Sequence, residues 1–145
     1  MQKSEFSSQE AGGSGQKAGS SVQQGFKDLI VYQKAYQLAT EIFERTEQFP
    51  KEERYSLVDQ IRRCSRSICA SLAEAWRKRM YEKHFISKLT DADAECSETL
   101  VWIDFSFDCG YIEEQTRAIW KRGYEEIGKM LYSMETQPKK FCRKQ

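Results

Sequence analysis

The chain has 145 residues, with 23 lysines and arginines against 22 acids and a formal net charge of +1. This length suits one hydrophobic core and is short for two. The 12% aromatic and 31% charged residues favour amphipathic helices over wholesale disorder. No apolar run reaches the ~20 residues of a membrane span, and no cleavable signal opens the chain. We therefore expect a cytoplasmic protein without a membrane contact.

The first 25 residues differ in composition from the rest. They are rich in serine, glycine and glutamine and hold almost no sizeable apolar side chains. Such a segment cannot bury enough surface to offset the entropy lost on ordering. We predict that residues 1–25 form a disordered tail.

A helical pattern begins at Phe26. Asp28 is a candidate N-cap, and the helix is predicted to end near Gln48 because Pro50 cannot donate a helical hydrogen bond. Phe49 is then expected to fill the turn. The predicted buried positions follow the helical period, and they are Val31, Tyr32, Ala35, Tyr36, Leu38, Ala39, Ile42, Phe43 and Thr46.

A second helix, from Tyr55 to about Lys78, has one apolar and one basic side. The apolar positions recur at three- and four-residue steps and are Leu57, Ile61, Cys64, Ile68, Leu72 and Ala75. On the other side, four arginines fall within about a quarter turn at 100° per residue, namely Arg62, Arg63, Arg66 and Arg77. Asp59 is placed to pair with Arg63 one turn later.

Two further helices are predicted. The third follows a link near Met80 and ends before Gly110, with Phe85, Leu89, Ala92, Cys96, Leu100, Ile103 and Phe107 inside. The fourth begins near Ile112 and ends before Pro138, with Ile112, Ile119, Trp120, Tyr124, Ile127, Leu131 and Met134 inside. Gly123 and Gly128 lie within the fourth helix, which suggests a close helix contact or an interface.

Four amphipathic helices with short links predict an all-α, antiparallel up-down four-helix bundle over residues 26–136, followed by a basic tail over 137–145. Charge alternates along the chain: residues 51–80 and 116–145 are basic, and residues 81–115 are acidic. Five aromatic residues add more apolar area than the interior stripes easily hide, so some of them are expected at a subunit interface; they are Trp76, Trp102, Phe105, Tyr111 and Trp120.

Several segments resemble one protein family. They are FKDLIVYQKAYQL in the first helix, FPKEERYSLVDQIRR across the first turn, SICASLAEAWRKR in the second helix and TDADAECSETL in the third. Together they resemble the four-helix-bundle proteins encoded in intervening sequences of bacterial 23S ribosomal RNA genes. The chain departs from that pattern at Cys69, Ser71 and Ala75, where the family usually has proline, asparagine and glycine, and at Asp93 and Ala94, which replace a glycine-serine pair.

The resemblance implies a ring of identical bundles, commonly five, associated with RNA. A related group, the accessory proteins of diversity-generating retroelements, implies a ring that binds a reverse transcriptase and nucleic acid through basic surfaces. We expect a non-catalytic, homo-oligomeric RNA- or ribonucleoprotein-associated protein. The alternative is a protein-interaction adaptor, for example for a reverse transcriptase, in which exposed tryptophans carry the contact.

The candidate nucleic-acid-binding residues are basic residues of the second helix and the C-terminal tail, namely Arg62, Arg63, Arg66, Arg77, Lys78, Arg79, Lys139 and Lys140. The alternative for the arginine face is a solvated surface, or pairing with the acidic third helix of this or a neighbouring subunit. Glu74 and Glu98 are predicted to be structural, with Arg63 meeting one or both.

No catalytic residue, metal site or cofactor is predicted. A dimetal bundle needs Glu-x-x-His motifs, and the single histidine, His84, has no such glutamate before it. The chain also lacks a nucleophile elbow, a phosphate-binding glycine loop and a Cys-x-x-Cys motif. The five cysteines are odd in number and widely spaced, so they are expected to be reduced thiols, namely Cys64, Cys69, Cys96, Cys109 and Cys142.

Overall fold

A computed structural model describes residues 25–142, and all regular structure within that range is helical. The helices are α1 (Ile30–Thr46), α2 (Leu57–Arg77), α3 (Glu82–Asp108) and α4 (Glu114–Thr136). Short 3₁₀ turns lie at Phe26–Asp28, Lys51–Glu53 and Pro138–Lys140. The predicted all-α four-helix bundle is confirmed. Residues 1–24 of the tail predicted over 1–25, and residues 143–145 of the basic tail, lie outside the described residues.

The four helices surround one core. Helix α2 contacts α1 and α3, and α4 contacts α3 and α1, so that α1 and α3 stand at opposite corners. Across the α2–α3 contact, Cys64 meets Thr99 while Glu74, ten residues later, meets Lys88. Residues on the two helices thus pair in opposite order, as expected of helices that run in opposite directions.

The apolar stripe of α2 is confirmed. All six of its predicted members are 7% exposed or less. All but Cys64 belong to a single cluster with buried side chains from the other three helices, so α2 presents its other face outward. At about 25 cal/mol per Å² of apolar surface removed from water, this burial is the main term that stabilises the bundle.

The stripes of the other helices need correction. Tyr36, Phe43 and Ile119 are 48%, 37% and 47% exposed, whereas Thr99 and Ser106 are fully buried. Each of these hydroxyls donates to the carbonyl four residues earlier in α3, at 2.8 Å, so its burial leaves no donor unpaired. The predicted stripe of α3 left out both hydroxyl residues and included Leu100 and Phe107. The structure shows that Leu100 and Phe107 are only half-buried.

Of the five aromatic residues that were expected to exceed the interior stripes, two tryptophans are buried in the core. Trp76 is 8% exposed and Trp120 is 3% exposed, and both belong to the core cluster. Trp102 and Tyr111 are half-buried, which leaves Phe105, at 52% exposure, as the clearly exposed member. The bundle therefore hides more aromatic surface than the helical stripes indicated.

The helix ends follow the predicted signals except at the first. Gly110 has φ +82°, and it and Tyr111 donate to the carbonyls of Phe107 and Ser106, closing α3 with a left-handed cap. Asp28, however, is not the N-cap of α1. Its carboxylate accepts from the Gly25 amide at 3.1 Å and caps the preceding 3₁₀ turn, so α1 begins two residues later.

Gly123 lies where α4 packs against α1. A Cβ built there would lie 2.7 Å from Cδ1 of Leu38, so a larger residue would have to displace that side chain, in agreement with the helix contact that the sequence suggested. Gly128 is different, because the nearest atom to its Cβ position is 3.8 Å away on Asp93. Close packing does not account for Gly128.

One end of the bundle is fixed by contacts between its two loops. Phe49 is buried in the first turn, as predicted, and its ring lies 5.0 Å from that of Tyr111 in the α3–α4 loop. The Tyr111 hydroxyl donates to Glu53 at 2.8 Å, which raises the pKa of Tyr111 to about 12. Arg45 and Glu113 add an ion pair at 2.9 Å. These contacts hold α1, α2 and α4 in register.

All five cysteines are free thiols. Burial raises the pKa of Cys64 to about 11 and the pKa values of Cys69 and Cys96 to about 12, so these thiols stay protonated near neutral pH. Among residues 25–142, no helix combines the length and apolar character needed to cross a membrane.

Candidate nucleic-acid interface

The predicted basic residues separate into two groups along α2. Arg62, Arg63 and Arg66 lie in its first half, and Arg77 ends it. At 1.5 Å per residue, the eleven steps from Arg66 to Arg77 span about 16 Å. We call Arg54, Arg63 and Arg66 the basic groove. The basic end is the group at the C-terminus of α2 and beside it, namely Arg77, Lys78, Arg79, Lys83, Lys139 and Lys140.

Arg62 has a structural role between α1 and α2. Its Nε donates to Thr46 Oγ1 at 2.8 Å, and one terminal nitrogen donates to the Phe43 carbonyl at 3.1 Å. The guanidinium also lies 4.2 Å from the centre of the Phe43 ring. Both acceptors belong to the last turn of α1, where carbonyls lack helical partners and a cation is favourable. Arg62 therefore caps α1.

Replacing Arg62 with alanine is expected to lower the free energy of unfolding by about 1.5–3 kcal/mol, the range for hydrogen bonds to charged groups. The matched control is Arg63→Ala, since Arg63 is 67% exposed and its one ion pair, with Asp59 at 3.1 Å, contributes at most about 1 kcal/mol. Urea unfolding measures both. Equal losses for the two variants would contradict the capping role of Arg62.

The basic groove runs along the outer face of α2. It encloses about 510 Å³ and is lined by the three arginines together with Val58, Asp59, Arg62, Ser67 and Ala70. Arg66 also borders a neighbouring depression of about 420 Å³ between α1 and α2, where Tyr36, Phe43 and Cys69 supply apolar walls. The Arg66 guanidinium lies 5.3 Å from the Phe43 ring centre. Positive charge and apolar surface thus adjoin on this side.

The basic end is assembled from three elements. Helix α2 ends at Arg77, the link to α3 follows, and the C-terminal turn Pro138–Lys140 returns to the same place. Phe141 holds that turn, because its ring stacks 6.1 Å from the ring of the fully buried Phe85. Amides of Phe141 and Cys142 donate to the Pro138 carbonyl, both at 2.9 Å. The turn is thereby held against the start of α3, so its lysines lie at the same end of the bundle as the cations that follow α2.

Within the basic end, the cations differ in availability. Arg79 lies 4.0 Å over the Trp76 ring and donates to the Trp76 carbonyl at 2.7 Å, so it closes α2. Lys139 lies 3.7 Å from Glu82. The others are exposed, and within residues 25–142 none of them forms an ion pair; they are Arg77, Lys78, Lys83 and Lys140.

Glu74 and Glu98 have partners other than Arg63, so that prediction is wrong. Glu74 pairs with Lys88 at 2.7 Å, and Glu98 accepts from the indole nitrogen of Trp102 at 3.2 Å. Lys88 and Trp102 both lie on α3, whereas Arg63 pairs with Asp59 on its own helix. Glu74 therefore links α2 to α3, and Glu98 makes a contact within α3.

The polar contact between α2 and α3 involves Glu95, which sequence analysis did not single out. Ser71 donates to the Glu95 carboxylate at 3.0 Å, and burial raises the pKa of that group. Helical spacing alone does not indicate how deeply Glu95 is buried. In residues 25–142, no group of three or more histidine, cysteine or acidic side chains is arranged to hold a metal ion.

Comparisons with known proteins agree with this architecture. Residues 27–133 match the sequence model of a family described as 23S rRNA-intervening sequence protein. Among solved structures, the chain is similar to a protein of unknown function from the S23 ribosomal protein family of Bacteroides thetaiotaomicron. The two are 26% identical with a TM-score of 0.66, and the match covers 73% of this chain and 98% of that one. No curated protein matches the chain.

Proposed function

Because the chain belongs to the 23S rRNA-intervening sequence protein family, we propose that it is a non-catalytic, homo-oligomeric bundle that associates with RNA or a ribonucleoprotein. The observation that supports this proposal is the basic end, where four exposed cations form no ion pair within residues 25–142. The cations lie on two segments distant in sequence, and stacking of Phe85 on Phe141 brings them together. A phosphate backbone is the polyanion that such a surface suits.

The overall charge does not produce this surface. The chain carries a formal net charge of only +1, so non-specific attraction of the whole molecule to a polyanion is weak. Positive charge is instead concentrated at one end of the bundle, and the loops around Phe49 and Tyr111 lie at the other end. The protein is therefore expected to bind a polyanion in one orientation, through its basic end. Binding to RNA through this end leaves the sides of the bundle available for contacts between copies.

Equilibrium filter binding of RNA across a salt series tests the RNA proposal. Each neutralised phosphate is expected to contribute about 0.7 to the slope of log affinity against log salt concentration for a single strand. Contact with the four exposed cations therefore predicts a slope of about −3. An affinity that does not change with salt would contradict electrostatic binding at the basic end.

The sides of the bundle support self-association. Val101 and Phe105 form an exposed apolar strip on α3, 47% and 52% exposed, beside the half-buried Trp102. Glu98 and Asp108 flank the strip with negative charge. On the opposite corner, α1 offers the apolar depression bordered by Arg66. The two surfaces are complementary in charge and both are apolar at their centres.

These two surfaces favour a contact between different faces of two copies. Helices α1 and α3 occupy opposite corners, so each copy carries both surfaces at once. A repeated contact between unlike surfaces closes into a ring when the rotation permits. We propose that the α3 strip of one copy seats against the α1–α2 side of the next, with five copies as the expected number.

Phe105→Glu is expected to dissociate the oligomer, because it places a charge at the centre of the α3 strip where a neighbouring side chain would desolvate it. The matched control is Tyr132→Glu, since Tyr132 is 67% exposed on α4, away from both surfaces. Native mass spectrometry should show smaller species for Phe105→Glu alone. A monomeric wild-type protein, or unchanged assembly of Phe105→Glu, would contradict the proposed contact.

An adaptor role, for example for a reverse transcriptase, is the second candidate. The tryptophans Trp76 and Trp120, which were expected to carry such a contact, are buried, so the α3 strip is the surface that favours it. Affinity capture with and without nuclease separates the two functions. A protein partner that survives nuclease digestion and is lost with Phe105→Glu would support the adaptor over RNA association.

A further inference from the structure

An exposed aromatic side chain belongs to the segment that carries the basic end. Tyr81, the residue immediately before α3, is 58% exposed. Its ring lies 5.6 Å from the ring of His84, which is also exposed. In sequence, Tyr81 stands between Lys78 and Lys83, and the Pro138–Lys140 turn contacts the same helix start.

The backbone around Tyr81 is fixed at both sides. Its amide donates to the Lys78 carbonyl at 2.9 Å, and its carbonyl accepts from the Phe85 amide at 3.0 Å. Phe85 is fully buried. The exposed ring is therefore carried on an ordered helix start rather than on a loose loop, so little backbone entropy is lost when a ligand covers it.

An exposed ring on a cation-rich helix start matches the way proteins bind unpaired nucleotides. A base stacks on the aromatic face while lysines and arginines neutralise the adjoining phosphates. A base pair within a duplex is already stacked on both faces and offers no free face to a side chain at a helix end. An exposed ring beside cations therefore favours single strands over duplexes, a preference that positive charge alone does not give.

We propose that Tyr81 is a stacking platform for an unpaired base, so that the RNA bound at the basic end is single-stranded, as in a loop or a free end. This inference rests on the proposed RNA association and specifies its ligand class. His84 supports the ring edge, while Lys78, Lys83 and Lys140 contact the flanking phosphates. Arg77 extends the same charged surface along α2.

Fluorescence anisotropy of the full chain with labelled RNA tests the inference. The probes are an unstructured strand of roughly 12 nucleotides and a duplex of the same length. We expect the single strand to bind more tightly, and Tyr81→Ala to weaken its binding about 5- to 150-fold while leaving duplex binding unchanged. Tyr81→Phe keeps the ring and should retain the affinity.

Two further variants keep the test decisive. Tyr81→Leu retains apolar bulk at the helix start and should lose single-strand affinity like Tyr81→Ala, which separates stacking from a folding defect. Tyr132→Ala removes an equally exposed tyrosine from α4 and should change nothing. RNA binding that is unaffected by Tyr81→Leu and Tyr81→Ala, or equal for both probes, overturns the stacking platform alone. Failure of the wild-type protein to bind either probe overturns the proposed function and this inference together.

Discussion

Phe85→Ala is expected to lower the free energy of unfolding by about 3–5 kcal/mol, the usual cost of removing a fully buried phenylalanine. Phe85 is 0% exposed at the start of α3. The loss in stability combines the burial free energy of the removed ring with the cost of the cavity that remains. The Phe141 ring, 6.1 Å away, also loses its support, so the C-terminal turn is expected to detach from α3.

The chain supplies a matched control on the same helix. Phe105 is 52% exposed, so Phe105→Ala removes the same atoms with little change in buried surface and should alter the stability of the monomer by less than about 1 kcal/mol. Urea unfolding of both variants, at low protein concentration to limit assembly, gives the comparison. A loss below 1 kcal/mol for Phe85→Ala would contradict its place in the core.

Arg77→Gln combined with Lys78→Gln is expected to weaken RNA binding and to make the salt slope shallower by about 1.4, or 0.7 for each lost phosphate contact. Both side chains are exposed and, within residues 25–142, neither forms an ion pair whose loss would destabilise the fold. Unfolding in urea should therefore be unchanged, which separates this effect from that of Phe85→Ala.

The control for this pair removes the same charges from another surface. Arg122 and Lys129 are exposed on α4, and replacing both with glutamine lowers the net charge equally. If the affinity depends on the basic end, this control retains the wild-type slope. Equal slopes for the two double variants would show that net charge, rather than position, governs binding.

Much of the fold follows from the sequence, because proline and glycine signals indicate where helices end and apolar spacing indicates which face is buried. Pro50, Gly110 and Pro138 stop helices where predicted, and the α2 stripe is buried throughout. Predictions failed where a polar side chain can make its hydrogen bond in more than one place. The Thr99 hydroxyl donates to a carbonyl of its own helix, so this polar residue can be buried. The Asp28 carboxylate caps the turn before α1 rather than α1 itself.

The candidate site was predicted less completely, since a charge pattern along one helix does not reveal what the neighbouring elements contribute. The four arginines of α2 share a helical face, yet Arg62 is held by the end of α1 and Arg77 lies about 16 Å beyond Arg66. The Phe85–Phe141 contact brings the Pro138–Lys140 turn to the start of α3, and no local pattern indicates it.

Tyr81 illustrates the same limit. In the sequence it is one of seven tyrosines, and it differs from Tyr32 and Tyr124 only in lying outside the predicted helical stripes. Only the fold places it beside the cations of two distant segments and leaves its ring 58% exposed, while Tyr124 is buried at 1%. How exposed a ring is, and which charges lie near it, depend on how the helices pack, so the sequence alone does not indicate them.

Photo-crosslinking of RNA to the wild-type protein, followed by peptide mass spectrometry, tests the central claim most directly. With 4-thiouridine in a single strand, we expect adducts within residues 77–84 and 138–142, the two segments that form the basic end. Adducts confined to the basic groove around Arg63 and Arg66, or to the acidic face of α3, would contradict the assignment of RNA binding to that end.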